Sequence, residues 1–414
     1  MTFETALTGL NAAAADLDVT GNNIANSQTV GFKGSRAEFA DIFATSNMGL
    51  ARIAIGQGVR LAAVRQEFTQ GQFAFTGNTL DLAINGTGFF QVNNGGKLLY
   101  TRNGSFTLDR NGYIVDANNR RLQGYGVDGS GNVNTGTFVD LRVNTSPVAP
   151  RATTRIDMTA NLQSGTQAPA VTPFDPANAD SYSFSTSTTV YDSQGRAHLQ
   201  SFYFVKVPDQ PNQWQVYTQL AGYPDAPSGP NLITFNPDGT FNNIDGGETV
   251  TYQFSAAAAD SPLAGATDLT IVTDFADLTQ FGTAFAVTEL DQDGYAAGQF
   301  AGLSVENDGT IFARFSNGQS TVLGQVMLVQ FPSPDNLQQI GDTSWVETYA
   351  SGGPLRGTPG ASGLGTIQSG ALEQSNVDVT EQLVKMITAQ RNYQANAKMI
   401  ATQDQLSQEI LNIR

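Results

Sequence analysis

Two apolar stripes at opposite ends of the chain constrain its fold more than anything between them. From the amino-terminal end the apolar or small positions run Phe3, Leu7, Leu10, Ala14, Leu17, Gly21 and Ile24. Their alternating steps of four and three are the spacing of a heptad seam. Near the other end, Asp378 followed by Glu381 is a capping-box-like start, in which each side chain can satisfy an orphan backbone N–H of the first helical turn. The seam after it reads Val379, Leu383, Met386, Gln390, Tyr393, Ala397, Ile400, Gln403, Leu406, Ile410 and Ile413, with the two glutamines as polar interruptions. At about 1.5 Å per residue a helix from Val379 to Ile413 would reach roughly 50 Å. Both stripes are thin, and the region between them offers no local partner for so long a helix. The two helices are therefore expected to bury their seams against each other and against copies of themselves, so that the ends find burial only in sister molecules.

The side-chain chemistry available for anything else is narrow. Among 414 residues there is no cysteine and one histidine, His198, which removes disulfide frameworks, Cys or His zinc sites, thiol nucleophiles and most catalytic triads. Acidic residues outnumber basic ones by 37 to 21, a net charge of −16, and such a chain repels phosphate backbones, so no nucleic-acid partner is expected. Arg120 and Arg121, beside Asn118 and Asn119, read as a solvated turn. Charged residues make up only 14% of the chain, well under the ~25% of an average domain. Ser, Thr, Asn, Gln and 43 glycines fill the gap, so the surface is polar but mostly uncharged. No apolar run approaches the ~18 residues of a membrane span, and no membrane insertion is expected. Met1 to Leu10 lacks the basic and continuous apolar regions of a cleavable secretory signal. These features fit a cytoplasmic chain and equally an exported one that uses an uncleaved route.

No motif rises to catalysis. His198 follows a turn with no second nitrogen or sulfur ligand available. Asp291-Gln292-Asp293-Gly294 opens like a calcium loop, but Tyr295 and Gly302 stand where oxygen ligands are required. Gly86-Thr87-Gly88 precedes an aromatic run instead of a helix, so it reads as a hairpin turn and not a phosphate cradle. Paired carboxylates for glycoside hydrolysis depend on spatial separation, and nothing singles out a pair. No catalytic, cofactor-binding or metal-ligating residue is assigned, no cofactor is expected, and the chain does not read as an enzyme.

The body from about residue 68 to 367 reads as strands and hairpins. Leu80, Leu82 and Ile84 alternate with Asp81 and Ala83, and Phe106 and Leu108 with Ser105 and Thr107. Asn85-Gly86, Asn94-Gly95, Asn103-Gly104, Asn111-Gly112, Asp128-Gly129, Asp238-Gly239, Asp293-Gly294, Asp308-Gly309 and Asn317-Gly318 are each expected to supply the positive φ of a tight turn. Composition changes near Pro147 and Pro150 and again after Gly294, which marks an insertion at 149–298. Within it Phe202 and Phe204, then Trp214, Val216 and Thr218, keep period two, as in a β-barrel or sandwich. Residues 352–370, rich in Gly, Pro, Ser and Thr, are expected to be an extended linker. The fold class is α+β and multidomain. Residues 1–30 with 371–414 form a coiled-coil-like inner domain of paired terminal helices, 31–67 a connecting segment, 68–148 with 299–367 a middle antiparallel β domain, and 149–298 an outer inserted β domain.

Asn22, Asn23 and Asn26 near the end of the first helix admit two readings. Asparagine tolerates the left-handed conformation and bonds nearby backbone, so the cluster can end the helix and reverse the chain. Alternatively, the amides can lace neighbouring copies through neutral hydrogen bonds.

The stretch Leu17-Asp18-Val19-Thr20-Gly21-Asn22-Asn23-Ile24-Ala25-Asn26, with Thr29 and Gly31-Phe32-Lys33, resembles the amino-terminal signature of the bacterial flagellar rod and hook subunits. Ser375-Asn376-Val377-Asp378-Val379 and Gln390-Arg391-Asn392-Tyr393-Gln394-Ala395-Asn396-Ala397-Lys398 resemble its carboxy-terminal counterpart. Asp81-Leu82-Ala83-Ile84, Tyr100-Thr101-Arg102-Asn103-Gly104, Asp293-Gly294-Tyr295 and Tyr191-Asp192-Ser193-Gln194-Gly195 are similar to hook-type members. The resemblance implies a homopolymer, the hook, whose curved helical tube acts as a universal joint passing motor torque to the filament. It also implies the distal rod, hook cap and hook-filament junction proteins and the flagellar export apparatus as partners, and a place on the outside of the cell at the distal end of the basal body. A distal rod subunit is the near alternative. A secreted β-rich carbohydrate-binding or hydrolytic protein is the distant one, and it leaves both seams unexplained.

Overall fold

A computed structural model describes residues 2–42, 56–129, 131–224, 227–258 and 260–412. The chain divides into two compact units. The first comprises Met1–Thr145, Gly302–Arg314 and Ser320–Arg414, and the second Ser146–Ala301 and Phe315–Gln319.

In the first unit the two ends are helical: α1 is Thr2–Ala25 and α2 is Val379–Asn412. The expected start of α2 is present, with Asp378 Oδ1 accepting the Thr380 and Glu381 N–H groups at 2.7 and 3.2 Å. The reciprocal half of the box is not formed, because the Glu381 carboxylate pairs with Lys385 at 2.8 Å. The two helices lie side by side and antiparallel, since Gly9 of α1 meets Asn396 of α2 while Asn23 meets Gln382.

In sequence between the helices lies an antiparallel β body. Phe89–Asn94 pairs with Lys97–Thr101, which in turn pairs with Ser344–Val346. Arg121–Val127 joins the same sheet. Its core gathers Phe89, Tyr100, Tyr125, Met327, Val329, Phe331 and Trp345, with edge-on aromatic contacts such as Tyr100 to Phe331 at 4.7 Å. The run Leu80 to Ile84, whose alternation predicts a strand with one face buried, is buried at every position. Thr366–Ser369 covers it by pairing with Leu82–Asn85.

That pairing corrects the reading of residues 352–370 as an extended linker. The segment holds the short strands Leu355–Gly357 and Thr366–Ser369, paired into the β body and separated by turns. Strands of three or four residues are too short to show a period. The described part of 31–67 is likewise more than a connection, because Ser35–Asp41 and Val59–Gln66 form an antiparallel two-stranded ribbon.

The second unit is a sandwich. Phe184–Tyr191, Ala197–Lys206, Gln213–Leu220, Ser228–Phe235 and Phe241–Ile244 form a five-stranded antiparallel meander. The facing sheet has the order Thr249–Phe254, Leu269–Asp274, Arg155–Asn161, Ala286–Gln292, with one parallel pair. Alternating residues Phe202, Phe204, Trp214 and Val216 point inward to a core shared with Ile156 and Ile271.

Six of the turn dipeptides behave as expected, with φ between 60° and 112° at Gly86, Gly95, Gly112, Gly239, Gly309 and Gly318. Gly104, Gly129 and Gly294 do not take positive φ. Gly104 and Gly294 answer a different demand, close approach of another backbone. A Cβ at Gly104 would lie 1.6 Å from Leu82 O, and one at Gly294 2.7 Å from Thr153 N.

Candidate assembly face

The helix pair buries a stripe that carries almost no hydrophobic signal. On α1 the buried residues are Ala6, Ala13 and Thr20, seven apart, together with Asn23. Among the described residues of α2 they are Gln382 and Ala389, with Asn396 at the next heptad position half-buried. Small side chains let two helices approach closely. At Gly9 the approach is close, since a Cβ there would come within 2.8 Å of Asn396 Oδ1.

The sequence-predicted seam is displaced from this stripe by one residue, about 100° around a helix. Phe3 and Leu7 on α1, and Val379, Leu383, Tyr393 and Leu406 on α2, are exposed; Leu7 is 42% and Leu383 47% accessible. Leu10, Ala14, Leu17, Ile24, Met386, Ala397 and Ile400 are half-buried at its margin. Ile413 lies outside the described residues, and the side chain of Ile410 is not described. Among the described residues, three exposed apolar side chains of α2 escaped the seam: Val384 at 61%, Ile387 at 49% and Met399 at 54%. They belong to neighbouring helical positions, which a strict four-three count skips. The expectation that both ends find burial only in sister molecules is corrected: α1 and α2 pack on each other within one chain, through the alanine stripe, and the large apolar side chains are what remains uncovered.

The asparagines are used within the chain. Asn23 is buried, its Nδ2 donating to Ser35 O at 2.7 Å and to Gln382 Oε1 at 3.2 Å, while its Oδ1 accepts the Ser35 N–H at 2.9 Å. Asn26 Nδ2 donates to Asn22 O and Oδ1, both at 3.0 Å, and Asn26 Oδ1 accepts Thr29 Oγ1 at 3.2 Å. Asn23 thus carries the chain reversal after α1 and ties it to α2, and Asn22 is the exposed member. Asn376, a member of the carboxy-terminal signature, matches Asn23 from the other side. Its Oδ1 accepts the Gly34 N–H at 2.8 Å and its Nδ2 donates to Glu67 O at 2.7 Å.

Beside these amides three charged side chains meet out of water. Glu373 accepts from Lys33 at 2.7 Å and from Arg102 at 3.1 Å. Burial pushes the Lys33 ammonium below its usual pKa, against the attraction of Glu373, and does the same to Arg102.

His198 Nε2 lies 3.1 Å from Asp192 Oδ2, which also takes Arg196 Nε at 2.8 Å. Burial opposes ionisation of Asp192, yet bonds from the Arg196 and Gln194 N–H groups and from the His198 and Arg196 side chains hold its carboxyl below the usual range. Among the described residues no cluster of three metal-binding side chains occurs, and no helix is long and apolar enough to cross a membrane.

Four known families match successive segments. Residues 3–33 match the flagella basal body rod protein family, 83–164 the flagellar hook protein FlgE/F/G D1 domain, 161–295 the flagellar basal body protein FlaE D2 domain, and 368–413 the flagellar basal body rod FlgEFG protein C-terminal region. The chain is 41% identical to the flagellar hook protein FlgE of Escherichia coli over 419 residues, covering 100% of both. It is 41% identical to that of Salmonella typhimurium, again over 100% of both chains, and 31% identical to that of Borreliella burgdorferi over 99% of this chain and 98% of the other. The crystal structure of Helicobacter pylori flagellar hook protein FlgE2 shares the fold with a TM-score of 0.54 at 14% identity, covering 73% of this chain and 100% of that one. The chain belongs to the flagellar hook proteins, within the rod and hook family of the bacterial flagellum.

Proposed function

We propose that this chain polymerises with copies of itself into a curved helical tube that transmits torque while bending. One observation carries the reading: the helix pair spends its alanines on intrachain packing and leaves Phe3, Leu7, Leu383, Val384 and Ile387 facing solvent. An apolar surface of this kind on a helix pair is buried by association. Subunits related head to tail make contacts that do not close, and a helical tube follows. In this reading residues 1–30 with 371–414 line the inner wall and 31–67 join it to the body. Residues 68–148 with 299–367 make the middle layer, and 149–298 the outer one. Outer surfaces of Ser, Thr, Asn and Gln exchange weak polar contacts at little cost, so neighbours slide as the tube bends. The chain has no catalytic role in this account. It is exported through the flagellar apparatus without a cleaved signal and ends outside the cell. There it meets the distal rod, hook cap and hook-filament junction proteins at the two ends of the tube.

The test is sedimentation and electron microscopy of purified protein at rising concentration. Curved tubes above a threshold concentration are expected. A monomer at every concentration, or straight rods only, refutes the proposal.

A further inference from the structure

Four stretches of chain cross at one carboxylate. Glu373 Oε1 accepts the Lys33 ammonium at 2.7 Å and the Gly71 N–H at 2.9 Å, and Oε2 accepts the Arg102 guanidinium at 3.1 Å. Lys33 donates a further bond to Thr69 O at 2.6 Å and Arg102 one to Gly86 O at 2.8 Å. The backbone repeats the connection, with the Gly31 N–H bonded to Glu373 O at 2.8 Å. Lys33 and Glu373 have no exposed side-chain surface, and Arg102 has 5%.

Lys33 follows the reversal that ends α1, Glu373 closes the short strand Ala371–Glu373 that leads into α2, and Arg102 belongs to the β body. We propose that this cluster is a latch that seats the terminal helix pair on the β body and thereby presents the assembly face. The proposal rests on the polymer reading above for its functional consequence. Lys33 and Glu373 are 340 positions apart, so the latch cannot close until nearly the whole chain is present. A chain that emerges end first holds an open latch, and an unanchored helix, until residue 373 arrives. Readiness to assemble is in this way coupled to completion of the chain.

The charge count separates a latch from mere packing. Two cations share one anion. Removing Glu373 leaves two buried positive charges facing each other, whereas removing Lys33 leaves a balanced Arg102–Glu373 pair. Glutamine has nearly the shape of glutamate, so a packing role predicts little effect from Glu373→Gln.

The experiment compares the full-length protein with Glu373→Gln, Lys33→Met and the double variant, by amide hydrogen exchange in dilute monomer and by the concentration at which polymer sediments. Glu373→Gln is expected to lose protection over 31–35 and 371–382 and to raise the polymer threshold, each by at least about tenfold, because an unpaired buried charge is strongly destabilising. The second unit should exchange as before. Lys33→Met is expected to stay within about threefold of the parent, and the double variant, in which Arg102 alone is left without its carboxylate, to recover part of what Glu373→Gln loses. If Glu373→Gln behaves like the parent, or the double variant is as impaired as Glu373→Gln, the latch is wrong. If the parent never polymerises while the exchange pattern appears as expected, the latch stands as a folding device and the polymer reading falls. Should Glu373→Gln not fold at all, Lys33→Met, which keeps the balanced Arg102–Glu373 pair, decides: parental protection supports the latch and a failure like that of Glu373→Gln overturns it.

Discussion

Asn23 and Gln382 are 359 positions apart in sequence and share a hydrogen bond of 3.2 Å across the antiparallel helix pair. With Ser35 O and N also on its amide, Asn23 fixes the level at which the two helices meet, which a repeating alanine stripe cannot do by itself. Asn23→Ala strands buried partners at Ser35 and Gln382. It is expected to cost about 2–3 kcal/mol, read by denaturant unfolding of the first unit. A loss under about 0.5 kcal/mol, the range of an ordinary surface change, would remove this role.

The exposed apolar rows make the opposite prediction. Leu7→Asp combined with Leu383→Asp is expected to leave monomer stability within about 0.5 kcal/mol of the parent, because neither side chain is buried in the chain. The same variant should form no tubes in the electron microscope. Tubes at the parental threshold would show that this face is not used.

Gly104→Ala tests close approach against turn geometry. The added Cβ collides with the Leu82 carbonyl, a backbone atom held in a buried strand, so a loss of about 3 kcal/mol or more is expected. Gly95→Ala, where φ is +60° and the space beside it is open, should cost about 1 kcal/mol, the left-handed penalty alone. Thermal unfolding of the two variants side by side gives the ranking.

For the second unit the prediction is one of pH. Asp192 has a folded pKa below its unfolded value of about 3.9. Its contribution is therefore complete above about pH 4 and lost as the pH falls through the folded value. Asp192→Asn should lower stability at pH 7 by about 1–3 kcal/mol. The gap between parent and variant should narrow steadily below about pH 4 in calorimetric scans. A gap independent of pH would mean that the charge on Asp192 contributes nothing.

How much of this was legible depended on whether a residue's job leaves a chemical trace. Asp378 announces a helix start because capping needs an oxygen acceptor at that place, and the structure uses it so. The inward alternation of Phe202, Phe204, Trp214 and Val216 is visible because only one face of that sheet is core. Ala6 and Ala13 left no trace, since alanine is unremarkable wherever it stands, and the louder leucines drew the seam one position away. Gly104 and Gly294 sit in dipeptides that look like turns, while their actual constraint, a neighbouring backbone, belongs to residues far off in sequence. Lys33, Arg102 and Glu373 could not be matched for the same reason: their partnership exists only after the chain has closed on itself.

The crossing that joins helices to body is made of amides and of ions hidden from solvent. Mobile counterions reach exposed pairs such as Arg36 with Glu38 or Arg155 with Asp157, and weaken them as ionic strength rises, but they do not enter a dry interior. The stiffness of this joint is therefore set by the protein alone and should be the same in fresh water as in brine.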